Sequence, residues 1–157
     1  MDFVHVELKR DTWSKPAKYV TSPEEAVTEI KKMIENLDRE MLISLQLACS
    51  GEVINASICS VGSIDCACVF VGGIVRTALL SGASSVILIH NHPSGNPKAS
   101  KSDWGVTKRL AIACHIFNLE LLDHIIIGAN DQKISLKEDY KELFDVSLTE
   151  LKELMTE

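Results

Sequence analysis

His90 and His92 stand one residue apart, directly after the apolar run Val86 to Ile89. In an extended strand, residues i and i+2 face the same side, so the two imidazoles would stand together where the strand ends. Ligand sites of open α/β sheets gather at such strand ends. Asp103 follows eleven residues after His92, in what reads as the first turn of a helix capped by Ser100. Pro93, Gly95 and Pro97 force a loop between them, which can fold the carboxylate back onto the imidazoles. Two neutral imidazoles and one carboxylate give a tetrahedral ion three ligands and leave one position open. That is the pattern of catalytic rather than structural zinc sites. The residues therefore predict a divalent-metal site, Zn2+ above all, built from His90, His92 and Asp103. The plainer reading makes the histidines ordinary polar loop residues and Asp103 a helix-start acid that suits the dipole; the tight loop and the spacing of Asp103 weigh towards the metal.

The string His90-Asn91-His92-Pro93-Ser94-Gly95, followed by Ser100-x-x-Asp103, resembles the JAMM (MPN+) metalloprotease motif in its RadC-type form. Leu122 to Gly128 is similar to the strand that follows in RadC proteins, and the resemblance runs from about Glu40 to Ser135. It implies a single mixed sheet flanked by helices, the JAMM/cytidine-deaminase-like architecture, with zinc on His90, His92 and Asp103. It also implies that Glu40 holds and deprotonates the water on zinc. Read alone, Glu40 would be a solvated strand-start acid. The chemical need is nonetheless plain: zinc brings the pKa of its water to about 7, and a nearby carboxylate can take and pass on the proton. Ser100 matches the serine that steadies the developing oxyanion, a donor worth a few kcal/mol. Its hydroxyl oxygen can still cap the helix, since it accepts while its proton is donated. Asp123 and His124 match family positions and read first as strand residues, with support of the site as the alternative.

The resemblance thus implies a zinc-dependent hydrolase that cleaves a peptide or isopeptide amide bond in an unidentified peptide or protein substrate. The alternative is a metal-stabilised interaction module, or a DNA-repair accessory, without enzymatic activity. The chain also departs from the pattern. Val71-Gly72-Gly73 stands where RadC-type proteins usually carry Pro-Arg-Glu, so an arginine and an acid are absent and the backbone is freer. Met1 to Arg39 shows no sign of the helix-hairpin-helix module of larger RadC proteins. The string His-Asn-His is no HNH nuclease motif, which is dispersed over a longer unit.

These residues need elements to position them. Val4, Val6 and Leu8 alternate as a short strand. Ser22-Pro23-Glu24-Glu25 reads as a helix start with a capping box, and Ala26, Val27, Ile30, Met33, Ile34 and Leu37 recur at helical spacing. Met41 to Cys49 and Val53 to Val61 form a hairpin about Ser50-Gly51, central because both faces of its first strand are apolar. Val71 to Leu79 returns to helical spacing, and Gly82 ends that helix. Val86 to Ile89 is a buried strand, with Asn91 turned away from the metal. Lys101 to Phe117 is a helix, Leu121 to Ile127 a strand, and Lys133 to Leu136 one more. Short helices follow near Lys137 and after Ser147. The order is of αββαβαβ type. Trp104 belongs in the core, and His5 and His115 on the surface or in packing.

The chain has 157 residues, 46% of them hydrophobic, which suits one domain over 1–157 with a short N-terminal extension to about residue 39. No run of about 18 apolar residues offers a membrane span. The first ten residues lack the layout of a secretory signal, so the reading is a cytoplasmic protein. Cys49, Cys59, Cys66, Cys68 and Cys114 are odd in number and mostly sit in apolar stretches, as reduced thiols do in a cytosol. The net charge of −6 lacks any basic run and argues against direct nucleic-acid binding. It leaves the oligomeric state open, a homo-oligomer included.

Overall fold

The computed structural model describes residues 7–9, 19, 20, 22–34, 37–62, 69–147 and 149. Its elements in chain order are α1 (Pro23–Ile34), β1 (Met41–Leu47), β2 (Val53–Val61), α2 (Val71–Ser81), β3 (Ser85–Asn91), α3 (Lys101–Ile116), β4 (Glu120–Ile127), β5 (Lys133–Ser135), α4 (Leu136–Asp139) and a 3-10 turn over Lys141–Leu143. The strands form one mixed sheet in the order β2-β1-β3-β4-β5. β1 runs antiparallel to both β2 and β3, β3 runs parallel to β4, and β5 turns back antiparallel to β4. The parallel pair needs a long crossover, and α3 supplies it.

β3 lies in the middle of the sheet and is buried along its whole length. Its alternation explains the unbroken apolar run. Val86 and Leu88 pack with Val75 and Ala78 of α2 and with Val106 and Leu110 of α3. Ile87 and Ile89 pack on the other side with Val27, Ile30 and Ile34 of α1. A strand buried on both faces shows no polar period. Hydrophobicity alone therefore cannot set its register, since a slip of one residue would still bury apolar side chains on either face. The polar residues at its end carry that information, and His90 and Asn91 are those residues.

The expected order holds through β5. Gly82 ends α2 in the left-handed region at φ 66°, its backbone N–H donating to Ala78 O and Leu79 O. Ser22 accepts from Glu25 N at 3.4 Å, as its capping role requires. The last strand stops at Ser135, one residue early, because its hydroxyl caps α4 by accepting from Glu138 N. Within the expected N-terminal extension, α1 buries Ala26, Val27, Ile30 and Ile34 in the core. The alternation at Val4 and Val6, the pair Cys66 and Cys68, and all but Thr149 of the helix expected after Ser147 lie outside the described residues. No described helix is long and apolar enough to cross a membrane.

Candidate metal centre

The end of β3 brings the candidate ligands together. His90 is its penultimate residue and has 0% exposure. His92 leaves the strand, but its backbone N–H donates to Ile127 O at 2.8 Å, which keeps it alongside β4. Asp103 sits in the first turn of α3 and is 2% exposed. Thus one strand end and one helix start meet. His90 Nε2 lies 2.9 Å from His92 Nε2 and 3.3 Å from Asp103 Oδ1, and His92 Nε2 lies 3.6 Å from Asp103 Oδ2. The outward nitrogens are occupied elsewhere: His90 Nδ1 meets His124 Nε2 at 2.8 Å, and His92 Nδ1 donates to Asn96 O at 2.9 Å. The two Nε2 atoms then face each other beside a carboxylate. Such a convergence of bases asks for a positive species between them. Among the described residues, this is the group of His, Cys, Asp and Glu whose ligand atoms all come within 4.8 Å of one another, so it could hold a metal ion.

The electrostatics agree. Burial pushes His90 below the ordinary histidine value, although Asp103 pulls the other way. The bond with Asp103 raises His92 against a smaller opposing effect of burial. Burial works to raise Asp103, but the two histidines beside it and the hydrogen bond from Ser100 override it and hold the carboxyl well below its usual range. The pocket therefore presents a firm anion and imidazole nitrogens.

Ser100 and Asp103 close a capping box at the start of α3. Asp103 N donates to Ser100 Oγ at 3.2 Å, while Ser100 N and Ser100 Oγ both donate to Asp103 Oδ2 at 2.6 Å. The hydroxyl proton thus points at the carboxylate. Glu40 stands just before β1 and close enough for its charge to raise both His90 and His92, yet it falls outside the ligand cluster. Asn91, expected to point away from the metal, lies outside the cluster and grips the backbone on either side of Glu40. It accepts from Met41 N at 2.9 Å and donates to Arg39 O at 3.0 Å. Because Leu42 and His90 are the last paired residues of β1 and β3, the Asn91 amide continues the ladder by one rung.

A family model described as RadC-like JAB domain matches residues 20–142. The chain belongs to this family. As a RadC-like JAB domain it is similar to a UPF0758 protein of Clostridium acetobutylicum, 41% identical over 120 residues that cover 76% of the chain and 52% of that protein. A UPF0758 protein of Shouchella clausii is 40% identical over 119 residues, covering 76% and 51%. One of Methanosarcina mazei is 32% identical over 124 residues, covering 79% and 54%. The chain spans about half the length of the curated relatives it matches.

Within this RadC-like JAB domain the two matching β4 residues divide their work. Asp123 accepts from His124 N, Ser135 Oγ and Lys137 N, and so ties β4 to the start of α4. His124 alone turns to the site, with 0% exposure. Thr107 escaped the sequence reading altogether. It lies one helical turn after Asp103, a spacing that puts both on one face of α3 and would have flagged it. Its hydroxyl donates to Asp103 O at 2.6 Å and lies 2.7 Å from His124 Nδ1. Gly128 ends the family string with no role assigned by it, but an added Cβ there would lie 2.4 Å from Gly95 O and 2.8 Å from Pro97 Cδ. The loop after His92 rests on that bare backbone. Trp104 packs against Tyr140, and His115 is exposed, as expected.

Proposed function

We propose that this RadC-like JAB domain is a zinc-dependent hydrolase that cleaves a peptide or isopeptide amide bond. The observation that carries the reading is the meeting of His90 Nε2, His92 Nε2 and the Asp103 carboxylate, with Glu40 close by but outside the cluster. Two imidazoles and a carboxylate suit zinc with one position open. Zinc held there would supply Lewis acidity, polarising a carbonyl and lowering the pKa of a water molecule. Glu40 takes the proton of the attacking water and returns it to the leaving amine nitrogen. Ser100 steadies the oxyanion once its proton turns from Asp103 Oδ2, a bond that weakens when a cation shares that carboxylate. The unpaired thiols of Cys49, Cys59 and Cys114 support a reducing, cytoplasmic setting.

Glu40→Gln tests the base directly. The variant should bind zinc stoichiometrically and lose hydrolysis of an isopeptide and peptide library by about 10²- to 10⁴-fold. Full activity in the variant would sink the assignment.

Zinc uptake should also depend on pH in a definite direction. His92 is raised above its ordinary value of 6.5. Protonating it in the metal-free protein contributes stability that is complete below the unfolded value and lost as pH rises through the folded one. Zinc competes with that proton, so affinity is full above the folded value and weakens as pH falls through it. Chelator competition between about pH 5 and 8 reads this out. A flat profile across that window would remove His92 from the ligand set.

A further inference from the structure

The chain of hydrogen bonds behind His90 has a direction, and counting protons gives it. Asp103 O is a carbonyl and only accepts, so the single proton of Thr107 Oγ1 goes to it across 2.6 Å. At 2.7 Å from His124 Nδ1, the same oxygen can then only accept. His124 must carry its proton on Nδ1. Buried at 0% exposure with no carboxylate bonded to it, it is neutral and has a lone pair on Nε2. That lone pair faces His90 Nδ1 at 2.8 Å and accepts its proton. His90 is left with its lone pair on Nε2, the atom that faces His92 and Asp103.

We infer that Thr107 and His124 are positioning residues that fix the tautomer of His90, so that Nε2 and not Nδ1 is offered to the metal. The inference rests on the reading of His90 as a ligand. The opposite order fails at its first step. With His124 protonated on Nε2, its Nδ1 lone pair would face a Thr107 oxygen whose proton is already committed. His90 would then have to accept on Nδ1 and hold its proton on Nε2, where it blocks the site. The device has a further property: the carbonyl that orients Thr107 belongs to Asp103 itself. The residue that gives the carboxylate also sets the protonation of the imidazole facing it, through three atoms of polar chain that are all buried. Outer partners of this kind orient histidine ligands and raise their basicity.

Threonine and valine have nearly the same shape, so Thr107→Val removes the hydroxyl and leaves the packing. We expect zinc affinity, measured by competition with a chelator, to fall by about 10- to 100-fold in Thr107→Val and to stay near wild type in Thr107→Ser. Imidazole 15N chemical shifts of the metal-free wild-type protein give a readout that needs no variant. They should show His124 protonated on Nδ1 and His90 protonated on Nδ1. Equal affinities in the valine and serine variants, or a proton on His124 Nε2, would overturn the inference. Failure of the wild-type protein to take up zinc would instead overturn the metal reading, and the nitrogen shifts would still decide the tautomers.

Discussion

Asp103→Asn is expected to abolish stoichiometric zinc binding while the protein stays folded. The amide oxygen can still accept from Ser100 N and Ser100 Oγ, which lie 2.6 Å from Oδ2, so the start of α3 keeps its cap. What disappears is the negative charge between two imidazoles. The amide nitrogen has no lone pair to offer, and His92 loses the first cause of its raised pKa. Loss of one of three ligands should cost more than the roughly 10- to 100-fold that follows removal of an outer partner. His90→Ala should behave alike in metal content, but it also leaves a gap at a fully buried position and the lone pair of His124 Nε2 unmet. It should therefore melt earlier than Asp103→Asn. Elemental analysis after dialysis, run beside a thermal melt, separates the two effects. Zinc at one equivalent in both variants would undo the site.

Gly128→Ala should damage the same site from a distance. The new methyl would sit 2.4 Å from Gly95 O and 3.1 Å from Pro97 N, and backbone of this kind cannot swing aside as a flexible side chain can. Gly95 is itself fixed, at φ +81°, with its carbonyl accepting from Ala129 N at 2.8 Å. The loop must lift. Overpacking of this sort costs on the order of 1–3 kcal/mol, or several degrees of Tm for a domain of this size. Lifting also draws Asn96 O from His92 Nδ1, so zinc affinity should drop about tenfold or more. Gly72→Ala is the control. Its methyl meets only the ring of Phe70, which is 71% exposed and free to give way, so stability should hold or rise slightly. A Gly128→Ala protein with wild-type melting and zinc affinity would show that the loop does not depend on the bare backbone beneath it.

The convergence of His90, His92 and Asp103 was legible because its information is local. Two histidines at strand spacing, a forced turn and a capped helix start are all written within fourteen residues, from His90 to Asp103. The elements were legible for the same reason: periodicity and caps are local signals, and α1, the hairpin, α2, β3 and α3 followed from them. What escaped is relational. The partners of Asn91 lie about fifty residues away, on a strand whose pairing with β3 no local pattern specifies. His124 could be noticed as a match but not assigned, since its work depends on Thr107 from another element. The proton of Ser100 was expected to serve an oxyanion, and a strand-and-helix reading could not see that Asp103 Oδ2 would claim it. The boundary of β5 was misplaced by one residue because Ser135 serves two elements at once.

The grip of Asn91 on the backbone around Glu40 has a consequence for motion. His90, Asn91 and His92 are consecutive, and the middle one holds the Glu40 segment that leads into β1 through both flanking peptides. Any slide of β3 against its neighbours then carries the imidazoles and the Glu40 segment together, as a shared displacement. Their separation is shielded from sheet breathing in the way that two gauges on one rail are shielded from movement of the rail. Thermal fluctuation can shift the whole assembly towards or away from α3, and so against Asp103, while leaving the relation of Glu40 to the imidazoles almost unstrained.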